Sequence, residues 1–175
     1  MMDPRYRELK RAAIPEVKTS GGATVRVISG SVAGVQGPVR EIVTDPEFLD
    51  VSLPAGKSFA HPVKPGHAVF AFVIDGEGHF DGGRDPFARE TVGENYFDMA
   101  QTSGCSEGTL VLYGDGDTVV VDSDKRPVRF LLVAGRPLGE PVAAWYGPIV
   151  MNTREELRTA FQEFEEGSFV KHARA

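Results

Sequence analysis

Residues 109–135 read TLVLYGDGDTVVVDSDKRPVRFLLVAG. Three runs rich in Val, Leu and Phe alternate here with polar turns, the pattern of short strands joined by reversals. Working outward, the same rhythm recurs in AVFAFVID at 68–75, EFLDVSL at 47–53 and TVRVIS at 24–29. Spacing of this kind predicts a sandwich or barrel of antiparallel strands, uninterrupted by any repeat or low-complexity tract. Asp75-Gly76, Asp81-Gly82 and Asp115-Gly116 are expected to be hairpin turns, with glycine supplying positive φ. The stretch 82–107, GGRDPFARETVGENYFDMAQTSGCSE, is longer than an ordinary hairpin loop and reads as an insertion. Its Phe87, Tyr96, Phe97 and Met99 are expected to pack on the sheet; covering a pocket or anchoring a partner is the functional alternative.

Composition sets the class. At 175 residues the chain suits one domain with a real core, and 20 glycines and 12 prolines beside 41% hydrophobic residues describe a turn-rich globular protein. The polar first segment, broken by Pro4, Pro15 and Gly21-Gly22, is expected to be an irregular arm over 1–22, followed by a single domain over 23–170 and a tail over 171–175. A net charge of -6 argues against direct binding of nucleic acid, which needs a basic face. One cysteine, Cys105, permits no internal disulfide, and neither a secretory leader nor a membrane span is visible, so a cytoplasmic location is expected.

One helix is expected near the end, in REELRTAFQEFEEG at 154–167. Thr153 and Glu156 have the spacing of a capping box, Leu157, Ala160, Phe161 and Phe164 fall on one face, and Gly167 can end the helix in the left-handed conformation. That face is expected to be core, packed against the barrel.

GRPLGEPVAAWYGPIVMNT at 135–153, together with VQGPVREIVTDPEFLDVSLPAGKSFAHPVKPGHAVFAFVIDGEG at 35–78, resembles the second half of pirins, two-domain proteins of the cupin superfamily. The resemblance covers roughly 5–80 and 108–170 and implies a cupin-type antiparallel β-barrel or sandwich with one C-terminal helix. In pirins the metal ligands lie in the N-terminal cupin, on a His-x-His and later Glu and His pattern that this sequence does not contain. The family is associated with iron-dependent quercetin dioxygenase activity and, in eukaryotes, with transcription-factor binding. Neither transfers residue by residue. The resemblance therefore implies a metal-free C-terminal cupin acting as a structural or protein-interaction domain, with iron in an N-terminal cupin outside this sequence. The alternatives are that the chain is part of a quercetin dioxygenase whose catalytic half is missing, or that the barrel holds a small apolar ligand.

Cupins share the frames G-x5-H-x-H-x3,4-E-x6-G and G-x5-P-x-G-x2-H-x3-N. In H-x-H both rings face one side of a strand because side chains alternate. Here Gly56 leads to His61, Val63 takes the second histidine position, and His67 or Ala68 the glutamate position. In the second frame Gly108, Gly114 and Gly116 lead to Val119 where a histidine would stand. Two imidazoles alone hold a divalent ion weakly, so no metal, catalytic or cofactor residue is assigned, and His61 and His67 are expected to be histidines satisfied by hydrogen bonds. His79 is expected to be exposed, and His172 to lie in a fraying tail.

Gly104-Cys105-Ser106-Glu107-Gly108 matches G-x-S-x-G but lacks the strand before and helix after it that a nucleophile elbow needs. Gly76-Glu77-Gly78 reads as a hairpin, Asp115-Gly116-Asp117 as a solvated turn, and Cys105 has no nearby cation to activate it. Trp145, Tyr146 and Pro148, with Phe97 of the insertion, are the possible interface, for the missing N-terminal cupin or for another protein.

Overall fold

The computed structural model describes residues 6–84, 103–144, 147 and 149–171. Phe87, Tyr96, Phe97, Met99, Trp145, Tyr146, Pro148 and His172 lie outside the described residues. Two compact units are present, Met1–Pro137 and Leu138–Ala175.

In the first unit the apolar runs form strands. They are β1 (Glu16–Lys18), β2 (Thr24–Ser29), β3 (Ser31–Val32), β4 (Val35–Gln36), β5 (Glu47–Leu53), β6 (Ser58–Pro62), β7 (Ala68–His79), β8 (Gly104–Ser106), β9 (Leu110–Leu112), β10 (Thr118–Asp122) and β11 (Val128–Gly135). The main sheet is antiparallel in the order β1-β2-β5-β11-β7-β10-β6, with β8 and β9 also paired to β7; β3 and β4 form a separate small ladder. The arm thus carries a short edge strand, since β1 pairs with β2, and β8 places the end of the expected insertion in the sheet.

Alternation decides what is buried. On β5, Glu47, Leu49, Val51 and Leu53 face inward, and on β11 Val128, Phe130, Leu132 and Ala134 do the same. The sheet curls so that β6 meets β11 across the core: Phe59 lies edge-on to Phe130 at 5.9 Å, and Phe80 packs on the same ring at 5.1 Å. These rings and the surrounding valines and leucines make one apolar cluster, the burial that drives folding of the unit.

The expected hairpins at Asp75-Gly76 and Gly76-Glu77-Gly78 are not there. Strand β7 runs unbroken through both, and its register against β11 shifts by one residue between Val73 and Asp75. Gly76 supplies a positive φ of 79° to a bend within the strand, and any Cβ there would lie 2.0 Å from the Pro127 carbonyl oxygen. Sequence alone does not separate a glycine that turns a chain from one that lets two strands approach closely.

In the second unit, β12 (Ala143–Ala144) and β13 (Val150–Met151) form a two-stranded ladder with α1 (Arg154–Glu165) against it. The capping box is complete: Thr153 Oγ1 accepts from the Glu156 amide, and the Glu156 carboxylate accepts from the Thr153 amide. Gly167 follows the helix at φ 74°. Leu157 and Ala160 are buried with Ile149, but Phe164 is 59% exposed, so the apolar stripe is core only over its first part. Among the described residues, no helix is long and apolar enough to cross a membrane.

Candidate functional site

Strand β6 turns Phe59 and His61 inward, and Val63 just beyond it is buried too. The β6–β10 ladder sets Val119 directly opposite His61, so their side chains share one face. The two degraded cupin frames therefore meet in register, with an imidazole from one and a buried isopropyl group from the other.

His61 is 5% exposed and already engaged. Its Nε2 lies 3.3 Å from Glu47 Oε2, and its ring stacks on Phe59 at an interplanar angle of 11°. Glu47 is itself buried, which is costly for a carboxylate without a partner. Gly30 makes this possible, because a Cβ there would come within 2.8 Å of Glu47 Cγ. Glu47 was missed in the sequence, yet the signal was present: it shares the inward parity of Leu49, Val51 and Leu53.

Glu47 also lines a cleft of about 320 Å³ whose walls include Ser29, Gly30, Gly37, Arg40, Asp45 and Lys64. The Ser29 hydroxyl, between the carbonyls of Val39 and Pro46, ties the 37–46 loop to β2. Arg40 Nε donates to the Gly37 carbonyl, while Lys64 is hydrogen-bonded to Asp45 and holds that carboxyl below its usual range.

His67 stands apart from this pair. It is half-buried, and among the described residues its Nδ1 has no hydrogen-bond partner, so the expected satisfaction by hydrogen bonds applies to His61 alone. The Tyr113 hydroxyl is likewise buried without a partner, and burial, with a smaller push from Cys105, raises its pKa well above the ordinary phenol value.

His79, expected to be exposed, is largely buried at its side chain. Ser103 Oγ lies 2.9 Å from its Nδ1, and Asp124 Oδ2 lies 3.1 Å from its Nε2. The order Ser, His, Asp is that of a nucleophile triad, but Arg84 binds the half-exposed Asp124 carboxylate at 3.0 Å. Burial pushes the Asp124 pKa upward, and hydrogen bonds from Arg84 and His79 outweigh it. The chain of contacts ties β8 to the turn before β11. Ser106, in the G-x-S-x-G match, sits exposed on β8 and leads into a turn before β9 instead of a helix.

A complete pair of cupin frames would hold a metal, and the residues at these positions do not fit one. Val119 and Val63 offer no donor, Glu47 and His61 supply two donors that bind each other, and among the described residues no group of three His, Cys, Asp or Glu could hold an ion.

The outer face of the same sheet is different. Register places Leu112, Phe70, Val133 and Phe48 in one row across β9, β7, β11 and β5, and Leu110, Phe72 and Leu131 in the next. Leu112 is 74% and Leu110 54% exposed.

Comparison with known proteins gives one family. Residues 48–170 match the model of the pirin C-terminal cupin domain. The chain is 39% identical over 170 residues to a pirin-like protein of Caulobacter vibrioides, covering 97% of this chain and 54% of that protein. It is 36% identical to the pirin of Homo sapiens, over 94% of this chain and 50% of that protein. A crystal structure of quercetin 2,3-dioxygenase from Acinetobacter baumannii superposes with a TM-score of 0.72 at 24% identity, over 95% of this chain and 51% of that one, and supports the fold. The chain thus spans about half the length of these proteins.

Proposed function

The chain belongs to the pirin family, whose C-terminal cupin it matches, and on that premise we propose that it is a metal-free cupin serving as a structural and protein-interaction domain. The observation that carries this reading is the apolar patch on the outer face of β11, β7 and β9, which reaches Phe48 on β5 and is bounded there by the Asp50 ion pairs. Soluble proteins rarely leave a contiguous apolar face to water unless a partner covers it. The ligand positions agree, because valine stands at two of them and His61 is bound to Glu47. The partner that fits is a metal-bearing cupin of the pirin type, which the half of the relatives outside this match leaves room for. No reaction step is assigned to this chain.

Two measurements test the proposal. After incubation with Fe(II) or Ni(II) and removal of excess ion, the purified chain should hold far less than one equivalent; a full equivalent that His61→Ala abolishes would sink the metal-free reading. Native mass spectrometry with the uncovered half of the Caulobacter vibrioides protein should show a complex that Leu110→Lys with Leu112→Lys removes. A complex indifferent to those changes places the partner elsewhere and overturns the interaction surface. Oxygen uptake with quercetin by the chain alone would favour the dioxygenase alternative. The core contacts favour the apolar-ligand alternative less, because Phe59 and Phe80 both pack on Phe130 there.

A further inference from the structure

The cleft above Glu47 holds an unfinished set of polar contacts. Of the two carboxylate oxygens of Glu47, Oε2 meets His61 at 3.3 Å; Oε1 has no hydrogen-bond partner among the described residues. Oε1 lies 3.1 Å from where a Cβ would stand on Gly30, and Gly30 lines the cleft, so the missing side chain is what leaves this oxygen open to it. Oε1 is therefore an accessible acceptor at the floor of the cleft, and a ligand that brings a donor can give it the hydrogen bond that the described residues do not.

The rim asks for the opposite charge. Arg40 spends Nε on the Gly37 carbonyl, which fixes its direction, and its terminal nitrogens have no acidic partner among the described residues. Lys64 is neutralised by Asp45, and Glu41 by Arg7. The wall therefore presents one uncommitted guanidinium, a group shaped for a carboxylate. A volume of about 320 Å³ is at the small end of ligand sites.

We infer that this cleft binds a small organic acid whose carboxylate meets Arg40 and whose hydroxyl or ammonium group, at its other end, donates to Glu47. The inference goes beyond the scaffold role and does not depend on it, since Glu47 faces the opposite side of its strand from Phe48, where the Leu112 row ends. Binding is non-covalent. His61 is a positioning residue that holds the Glu47 carboxylate in place.

The full chain, labelled with 15N, is titrated with 4-hydroxybenzoate and with 4-aminobutyrate while the amides of Gly30 and Gly37 are followed. Saturable shifts with either acid are expected, and the tighter of the two identifies the donor as hydroxyl or ammonium. Benzoate and butyrate, which keep the carboxylate and lose the donor, should bind roughly 10-fold more weakly. Arg40→Ala, a surface change that leaves the core intact, should weaken both acids by roughly 10-fold as well. The inference is overturned if neither acid moves these amides up to its solubility limit. It is equally overturned if the donor-less acids bind as tightly, or if Arg40→Ala binds like the unsubstituted chain.

Discussion

Asp50 links three strands through one carboxylate. Arg129 on β11 grips it with two hydrogen bonds of 2.9 and 2.8 Å, and Arg26 on β2 adds a third at 3.3 Å. The Arg129 hydrogen bond is the largest influence on its pKa and, with the charges of both arginines, holds the carboxyl below its usual range against the upward push of burial. A carboxylate depressed in the folded state stabilises the protein above its unfolded pKa of about 3.9, and loses that contribution as pH falls through the lower folded value. Asp50→Asn should therefore lower stability to urea by about 1 kcal/mol at neutral pH, a figure trimmed for solvent screening of the exposed arginine. Below the folded pKa the two proteins should unfold alike. A deficit that persists in strong acid would assign the loss to packing. At this scale the sequence was partly legible: the frames located His61 and Val119, but Glu47 escaped, because an acid at the head of an apolar strand looks like a boundary residue until its parity is counted.

Elements were legible wherever one periodicity governed them. The helix over 154–165 has the cap, stripe and stop its sequence requires, and Thr153→Ala should cost it about 1 kcal/mol, seen as faster amide exchange at Glu156. Unchanged exchange there would mean that packing of Leu157 and Ala160, not the cap, holds the first turn. Strand β7 was the misreading. Its Asp75-Gly76 and Gly76-Glu77-Gly78 signals are real requirements for glycine, but they come from Pro127 on a neighbouring segment, and that contact is fixed by tertiary structure. Gly76→Ala puts a methyl group 2.0 Å from a carbonyl oxygen in a left-handed conformation, and should destabilise by more than about 2 kcal/mol in chemical denaturation. Gly116, at the Asp115-Gly116 turn, has open space where a methyl group would stand, so Gly116→Ala should be nearly neutral by comparison.

For the molecule as a whole, an all-β plan with one helix could be read from alternating runs and turn residues, because those depend on local chemistry. Which runs become neighbours could not: β7 pairs with β11, β9, β8 and β10 along its length, and strands far apart in sequence supply the two sides of the His61 site. The outward rows of Leu and Phe on β9, β7, β11 and β5 arise only from that pairing, since no single strand shows more than two of them together as a face. The sheet has one further consequence. Cys105, 4% exposed on β8, is the sole thiol in 175 residues. An alkylating reagent reaches so buried a sulfur through local opening, so the chain carries a built-in stopwatch: the labelling rate, extrapolated to zero denaturant, times the native state's own breathing around β8 without any foreign probe.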